Sequence, residues 1–318
     1  MLGSSGLKRW RENYYGSAIL AALAKPIGLV CRQVSTQLER KVRKNGVTVP
    51  LPNGRTLRLA RDSGVGMASL LFWRGFEGYE PETSKTLRFF FERADTFVDV
   101  GANYGFYSVL SAQWNSSLRV VAFEPVPQIY AGLLRNLVLN GLEWRVAAYQ
   151  IALADHTGTA TFYLPRSEGK DFETTGTLVS ESWQTRKRSP QIEVETARFD
   201  DFEQSHSMKV DLVKIDVEDL EADVLKGMQQ TILRDRPFIV CEILPREHGN
   251  EKTREMVKAL GYTAYWITNC GYIPVSRFDA DRSSSKDFLL SPVCVAGDVV
   301  NDLEAFWELR QTSCLLAS

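Results

Sequence analysis

From residue 96 onward, short apolar runs alternate with segments whose apolar positions recur every three to four residues. Residues 97–100, 119–124, 146–153, 211–217 and 238–244 predict strands. Residues 105–114, 127–140, 221–233 and 251–260 predict helices between them. In the helix over 221–233, Val224, Leu225, Met228 and Ile232 share one face. Gly141 and Gly261 follow the last periodic positions of two helices, where a chain leaves a helix most easily. Residues 262–268 and 288–295 add two more strands. Near-continuous apolar strands joined by helices predict an α/β fold, a mainly parallel seven-stranded sheet with helices on both faces.

The chain ahead of this series is organised differently. Residues 1–45 read as basic and helical. Residues 47–59 alternate around Pro52-Asn53-Gly54, which predicts a hairpin. Residues 62–66 are Gly-rich, but no strand of a βαβ unit precedes them, so they read as a loop. Residues 82–93 predict a helix that lays Leu87, Phe90 and Phe91 on the core. Within the periodic part, 159–164 and 192–198 read as short extra strands. Residues 165–190 between them are polar and irregular, a loop of the length often found in lids.

The 318 residues suit one large domain with additions or two small ones. An apolar fraction of 44% and a charged fraction of 24% are those of an ordinary globular protein. A net charge of −1 gives the whole molecule no electrostatic pull toward nucleic acid. Residues 1–45 carry nine Lys/Arg against two Glu, so the remainder is acidic. We read that excess as a solvated amphipathic helix; peripheral contact with anionic lipid head groups is the alternative. Residues 17–24, after Lys8, Arg9 and Arg11, imitate a signal peptide, but the apolar run is short and Lys25-Pro26 follows at once. No run is long enough to span a bilayer. Five scattered cysteines at 31, 241, 270, 294 and 314, and histidines at 156, 206 and 248, share no metal-ligand spacing. They predict reducing, cytoplasmic surroundings with no disulfide frame or zinc site. Cys241 and Cys294 lie in apolar runs and are expected to be core filler.

The run Phe97-Val98-Asp99-Val100-Gly101-Ala102-Asn103-Tyr104-Gly105-Phe106-Tyr107 carries the strongest chemical signal. It reads as a buried strand, a glycine-bearing turn and a helix start. A second apolar strand then ends on Glu124-Pro125. Strand, turn, helix and an acid-tipped strand form a nucleoside-binding unit, in which the acid accepts hydrogen bonds from ribose hydroxyls. The loop is D-x-G-x-x-x-G, without the pyrophosphate cradle of G-x-G-x-x-G, which points to S-adenosylmethionine rather than NAD. Asp99, Gly101, Ala102, Asn103, Tyr104, Gly105, Glu124 and Pro125 are the expected cofactor contacts. Asn103 stands where many such loops have glycine, and Asn tolerates positive φ. Tyr104, Phe106 and Tyr107 flank the loop; an aromatic there either stacks on a sulfonium or belongs to the core. Asp155, after the third strand, reaches toward an adenine amino group or simply forms a turn.

Lys214-Ile215-Asp216-Val217-Glu218 ends the fourth strand, and Asp216 and Glu218 share one face by the period of two. Glu242 interrupts the fifth strand at its end. Asp216, Glu218 and Glu242 are therefore the candidate catalytic acids: one could deprotonate a hydroxyl, or a pair could hold a divalent cation that lowers its pKa. Capping the next helix is the plain alternative for the first two. No metal ligand set is assigned. Lys214 inside an apolar strand predicts a buried ion pair with one of these acids. His248 is a weaker candidate base, and His206 is read as incidental.

Taken together, these motifs resemble the FkbM family of S-adenosylmethionine-dependent methyltransferases. The resemblance rests on FVDVGANYGFY (97–107), FEP (123–125), IALAD (151–155), VKIDVE (213–218), VLKG (224–227), Glu242, GYEP (78–81) and DFLLSP (287–292), and it covers residues 76–293. It implies the class I methyltransferase (Rossmann-like) sheet with a reversed last strand, and methylation of hydroxyl groups on sugars or secondary metabolites. It also implies that Asp99, Gly101 and Glu124 bind the cofactor and that Asp216 lies near the transferred methyl. One departure stands out: the family usually has glycine after the acid at 218, and here Asp219 follows. On this basis residues 1–75 form an N-terminal extension, 76–300 the methyltransferase domain and 301–318 a C-terminal helix or tail.

The expected partner is a small-molecule, glycan or glycolipid hydroxyl acceptor, with no nucleic acid. A dehydrogenase would need a different loop. A nucleic-acid methyltransferase would need a basic groove, and this domain is net acidic. A non-catalytic cofactor-binding module fits less well with three acids kept at 216, 218 and 242.

Overall fold

A computed structural model describes residues 46–60, 65–164, 190–217, 219–243, 250–275 and 287–316. The N-terminal basic segment and most of the 165–190 loop lie outside the described residues, as do Glu218 and His248. The described residues open with β1 (Gly46–Pro50), β2 (Thr56–Ala60), α1 (Val65–Arg74) and α2 (Pro81–Phe91). Next come β3 (Thr96–Val100), α3 (Phe106–Trp114), β4 (Arg119–Phe123), α4 (Pro127–Leu139), β5 (Val146–Tyr149) and β6 (Ala152–Leu153). Then β7 (Gly158–Tyr163), β8 (Gln191–Ala197), α5 (Phe199–Gln204), β9 (Leu212–Ile215), α6 (Glu221–Gly227) and α7 (Gln229–Asp235) follow. The last elements are β10 (Phe238–Glu242), α8 (Glu251–Ala259), β11 (Tyr262–Thr268), β12 (Gly271–Val275), β13 (Asp287–Pro292) and α9 (Ala296–Leu316).

Among the described residues the main sheet has eight strands in the order β12-β11-β13-β10-β9-β3-β4-β5. The pairs from β10 through β5 are parallel, and β13 runs antiparallel between β10 and β11. This is the class I methyltransferase sheet with its reversed strand. The strand beyond the expected seven is β12, which forms an antiparallel hairpin with β11 at the edge. Its Pro274 is tolerable there, because an edge strand has no neighbour to demand that N–H.

Strand residues alternate between two apolar layers, as the period of two requires. Phe97, Val120, Leu212, Val240 and Leu289 join a cluster with Phe91 of α2, Leu110 of α3, Leu133 of α4 and Leu303 of α9. Val98, Val100, Val121, Val213, Ile239 and Leu290 face the other way, onto Phe199 of α5, Val224 of α6, Ile232 of α7 and Val257 of α8. The hairpin and α1 pack into the first layer through Val49, Leu57 and Leu71. Asn136 ties this edge together: it accepts from Ala60 N at 2.7 Å and donates to the Tyr104 carbonyl at 2.7 Å.

Several elements differ from the sequence reading. Residues 65–66 open α1 rather than extend a loop; Ala68, Leu71 and Trp73 are buried at helical spacing. The strand expected over 146–153 is two strands in two sheets: β5 joins the main sheet, and β6 pairs with β8 in a three-stranded sheet with β7. The helix over 221–233 breaks at Met228 into α6 and α7, yet all four expected residues point inward. Cys241 is fully buried, but Cys294 is exposed. Strand β13 ends at Pro292, and 293–295 turn as a short 3-10 helix on the surface.

Candidate active site

The chain passes from β3 to β4 on one side and later returns to β9 on the other, so the sheet order reverses between β3 and β9. Ligands of open α/β sheets bind outside the carboxyl ends of strands at such a point. A cavity of about 260 Å³ lies there. The ends of β3, β4, β9 and β10 supply Gly101, Glu124, Asp216 and Glu242 to its wall. Tyr79 and Glu80 close one side, and Ile129, Ile151, Leu153 and Phe162 provide an apolar side.

The β3–α3 loop is built by backbone bonding to β4. Gly101 N and Ala102 N donate to the Phe123 carbonyl at 3.0 and 2.9 Å. Gly101 has φ 77°, and a Cβ on it would lie 1.9 Å from the Asp216 carbonyl oxygen. Only glycine lets the β3 loop lie this close to the end of β9. Asn103 takes φ 54°, the left-handed conformation expected of it. Its side chain accepts from Tyr104 N at 2.8 Å, and its own N–H donates to Glu124 Oε2 at 3.0 Å. Glu124 Oε1 accepts from Val126 N at 2.9 Å. The carboxylate is thus oriented by two backbone donors, one per oxygen, and keeps a lone pair on each. Burial pushes it up to about 7 against those two bonds.

The opposite wall holds a charge cluster. Lys214 is 3% exposed, and its Nζ donates to Asp216 Oδ2 at 2.8 Å. The ammonium also sits over the Tyr107 ring, 4.9 Å from its centroid. Burial opposes the charge on Lys214, but Asp216, Glu80, Asp99 and Asp287 surround it and hold it well above the usual lysine range. Burial likewise opposes ionisation of Asp216, yet the Lys214 charge and a hydrogen bond from Glu242 hold it below the usual carboxylate range. Glu242 is the reverse case: burial and the Asp216 charge push it up to about 10, so it stays protonated and donates to Asp216. Glu80 accepts from the Tyr107 hydroxyl at 2.7 Å. Burial pushes it up to about 7.

Residues 99–274, more than half of the chain, match the Methyltransferase FkbM domain. The chain belongs to this family. The matched region opens on Asp99 of β3 and ends in β12, so it contains the cavity's strand ends and leaves Tyr79 and Glu80 ahead of it. Among curated proteins the chain is similar to Methyltransferase sdnD of Sordaria araneosa, 31% identical over an alignment of length 157 that covers 42% of this chain and 60% of that protein. It is also similar to 2-O-methyltransferase NoeI of Sinorhizobium fredii, 28% identical over an alignment of length 166 that covers 49% of this chain and 66% of that protein. The chain therefore spans less than two thirds of either relative. Among solved structures, Methyltransferase FkbM from Methylobacillus flagellatus KT is 16% identical and has a TM-score of 0.41, covering 73% of this chain and 56% of that one.

Within this FkbM domain the expected residues separate into three groups. Gly101, Asn103, Glu124, Pro125, Asp216 and Glu242 line the cavity. Asp99, Ala102, Tyr104 and Gly105 lie behind its wall. Asp99 is buried and accepts from Ser108 Oγ at 2.6 Å, which ties β3 to α3. Tyr104 packs against Gly132, while Phe106 and Tyr107 belong to the core. Asp155 is outside the wall; it bonds to Lys226 Nζ at 2.8 Å and to His156 at 3.0 Å. His206 stacks on Phe202 at 4.1 Å, away from the cavity. Asp219, where the resemblance implies glycine, adopts φ 82°, in the left-handed region. Sequence reasoning passed over Tyr79 and Glu80 as site residues. Their signal was GYEP itself, an acid between an aromatic and a helix-starting proline. Among the described residues, no group of three or more His, Cys, Asp or Glu is arranged to hold a metal ion. No described helix is long and apolar enough to cross a membrane.

Proposed function

We propose that the protein is an S-adenosylmethionine-dependent O-methyltransferase acting on a hydroxyl of a sugar, glycolipid or secondary metabolite. One observation carries this reading. A single cavity at the switch point joins an acid suited to a ribose diol, Glu124, to a lysine-held carboxylate, Asp216. The similarity to NoeI, a 2-O-methyltransferase, supports transfer to oxygen.

The cavity's donor set fits the cofactor. Glu124 has lone pairs left for ribose hydroxyls, and Ile129, Ile151, Leu153 and Phe162 offer an apolar surface for a purine. Ionised Asp216, and Glu80 once it is ionised above pH about 7, favour a cationic sulfonium nearby. S-adenosylmethionine, when bound, supplies a methyl carbon made electrophilic by its sulfonium. The chain's own work is to align the acceptor oxygen, exclude water and take up the hydroxyl proton on a carboxylate of the cluster. Asp216, kept ionised by Lys214, orients the acceptor hydroxyl. Glu242, kept protonated, holds Asp216 in place.

The test incubates purified protein with isotopically labelled S-adenosylmethionine and an extract of the cells that encode it, and mass spectrometry locates the methyl. Label on a glycan, glycolipid or secondary-metabolite hydroxyl is the expected result. Label in RNA or protein overturns the acceptor class. Binding of S-adenosylhomocysteine without any label overturns the enzyme reading in favour of a cofactor-binding module.

A further inference from the structure

We propose that Glu80, which lies ahead of the matched family region, is the general base that takes the proton from the acceptor hydroxyl, while Asp216 only orients it. This assignment rests on the methyltransferase reading above.

Three observations carry it. First, Glu80 lines the cavity together with Asp216 and Glu242, although it lies ahead of α2 and of every strand of the main sheet in sequence. Second, its backbone is held at φ 41°, ψ 62°, and Pro81 follows directly. The residue before proline is disfavoured there, and non-glycine residues keep a left-handed conformation only where the surroundings enforce it. Gly78 enforces it on one side: a Cβ there would meet the Leu70 carbonyl oxygen at 2.5 Å, so the turn is pinned against α1. The Tyr107 hydroxyl holds the carboxylate on the other. The result turns the Glu80 side chain into the cavity. Third, the other acids of the wall among the described residues are committed. Glu124 accepts two backbone N–H groups, and Asp216 accepts from both Lys214 and Glu242. Glu242 already carries a proton.

The groups facing Glu80 agree. Lys214 of β9 favours its charge; Asp287 of β13 and Asp216 oppose it; Tyr107 of α3 donates to it. Tyr79 also shares a hydrogen bond with it. The balance, with burial the largest contribution, puts the carboxyl at about 7, where a base is half ionised at neutral pH and still basic enough to accept a proton. Asp216, held far more acidic, is the weaker acceptor.

In the step, the acceptor O–H bond breaks and its proton passes to a Glu80 oxygen. The electron pair left on the acceptor oxygen forms the new C–O bond, and the carbon–sulfur bond breaks with its pair staying on sulfur. Atoms and charge balance as one carboxylate and one sulfonium become one carboxylic acid and one neutral thioether.

The experiment compares wild type, Glu80→Gln, Glu80→Asp, Tyr107→Phe and Asp216→Asn. Calorimetry with S-adenosylhomocysteine serves as the fold and cofactor-site control, and it is expected to give unchanged affinity for both Glu80 variants. With labelled S-adenosylmethionine and the hydroxyl-bearing small-molecule fraction of the same extract, wild-type transfer should rise through pH about 7. Glu80→Gln should lose about 10²-fold or more and lose that pH limb, with Glu80→Asp recovering part of it. Tyr107→Phe should move the limb to higher pH, because it removes a donor to the ionised form. Independently of turnover, the Glu80 side-chain carbon in ¹³C-glutamate-labelled protein bound to S-adenosylhomocysteine should titrate near pH 7. Three results overturn the assignment alone: equal transfer by wild type and Glu80→Gln, a pH limb that survives Glu80→Gln and disappears in Asp216→Asn, or a Glu80 signal that does not titrate between pH 5 and 9. Absence of transfer by the wild type overturns the underlying reading and this assignment with it.

Discussion

Lys214 of β9 and Asp216, one residue past the end of that strand, form an ion pair at 2.8 Å in which the lysine side chain is 4% and the aspartate side chain 26% exposed. The strand places both side chains on one face, so the pair forms across a single pleat. An ammonium this deep inside a sheet is stable only with an anion beside it. The accessible part of Asp216 opens onto the cavity rather than the outer surface. The same pair therefore stabilises the fold and fixes the charge of the site.

Replacing Lys214 by Met should show both effects. Asp216 would lose its cation while Asp287, Glu80 and Asp99 remain nearby. The expected loss is about 3 kcal/mol, the low end for a broken buried pair because Asp216 still meets the cavity. Urea unfolding of Lys214→Met, Asp216→Asn and the double variant measures it. The double variant should be more stable than Lys214→Met alone. Simple additivity of the two single losses would show that the pair is not coupled.

Glu124 should govern cofactor affinity. Replacement by Ala removes the acceptor for ribose hydroxyls and leaves Asn103 N and Val126 N without their partner. Affinity for S-adenosylhomocysteine should fall about ten- to a hundredfold, the range for hydrogen bonds to a charged group. Its carboxyl is pushed up to about 7, so wild-type affinity should rise from pH 6 to pH 8 as the better acceptor forms. Calorimetry across that range decides it; an Ala variant with wild-type affinity would remove Glu124 from the ribose position.

The parts of this molecule written in local pattern were legible in advance. Strands β3, β4, β9 and β10 are short apolar runs whose two faces are both covered, and their carboxyl ends carry Gly101, Glu124, Asp216 and Glu242 into one cavity. What was not legible depends on tertiary contacts. Glu80 reaches the cavity because Gly78 packs on α1 and Tyr107 holds its carboxylate, relationships that span up to 27 residues. Helix α1 begins among glycines that read as a loop. Strand β12 carries a proline that argues against a strand until its edge position is known. Asp155 sits at the expected strand end, but Lys226 draws it outward.

Gly227 should be as intolerant of substitution as its place in the VLKG motif suggests. A Cβ there would lie 2.0 Å from the Ala154 carbonyl oxygen and 3.6 Å from Arg198 Cα, both backbone atoms. Helix α6 rests on the β6 end at this point, so Gly227→Ala should cost about 1–3 kcal/mol. Gly66 in α1 is the control: nothing lies within 4 Å of its Cβ position, and Gly66→Ala should gain about 0.4–1 kcal/mol. Urea midpoints of the two variants should move in opposite directions. A neutral Gly227→Ala would mean that α6 can lift from the sheet without loss.

Glu242 should make the protein less stable as pH rises above neutrality. Its carboxyl is pushed up to about 10 in the fold, from 4.5 as an ordinary carboxyl. Between those values the folded state holds a proton that the unfolded chain has released, so the contribution is full below about 4.5 and is lost as pH rises toward 10. One such proton gives a slope of about 1.4 kcal/mol per pH unit. The useful window is pH 7.5–8.0, above the values of about 7 for Glu80 and Glu124 and below the midpoint of about 8.5 for unfolded-state cysteines. Glu242→Gln mimics the protonated acid, keeps a donor for Asp216 and has no proton to lose. Urea stability of wild type should fall across this window while that of Glu242→Gln stays level. Parallel pH dependence in the two proteins would mean that Glu242 is ionised in the fold, and Asp216 would then face a second negative charge instead of a hydrogen-bond donor.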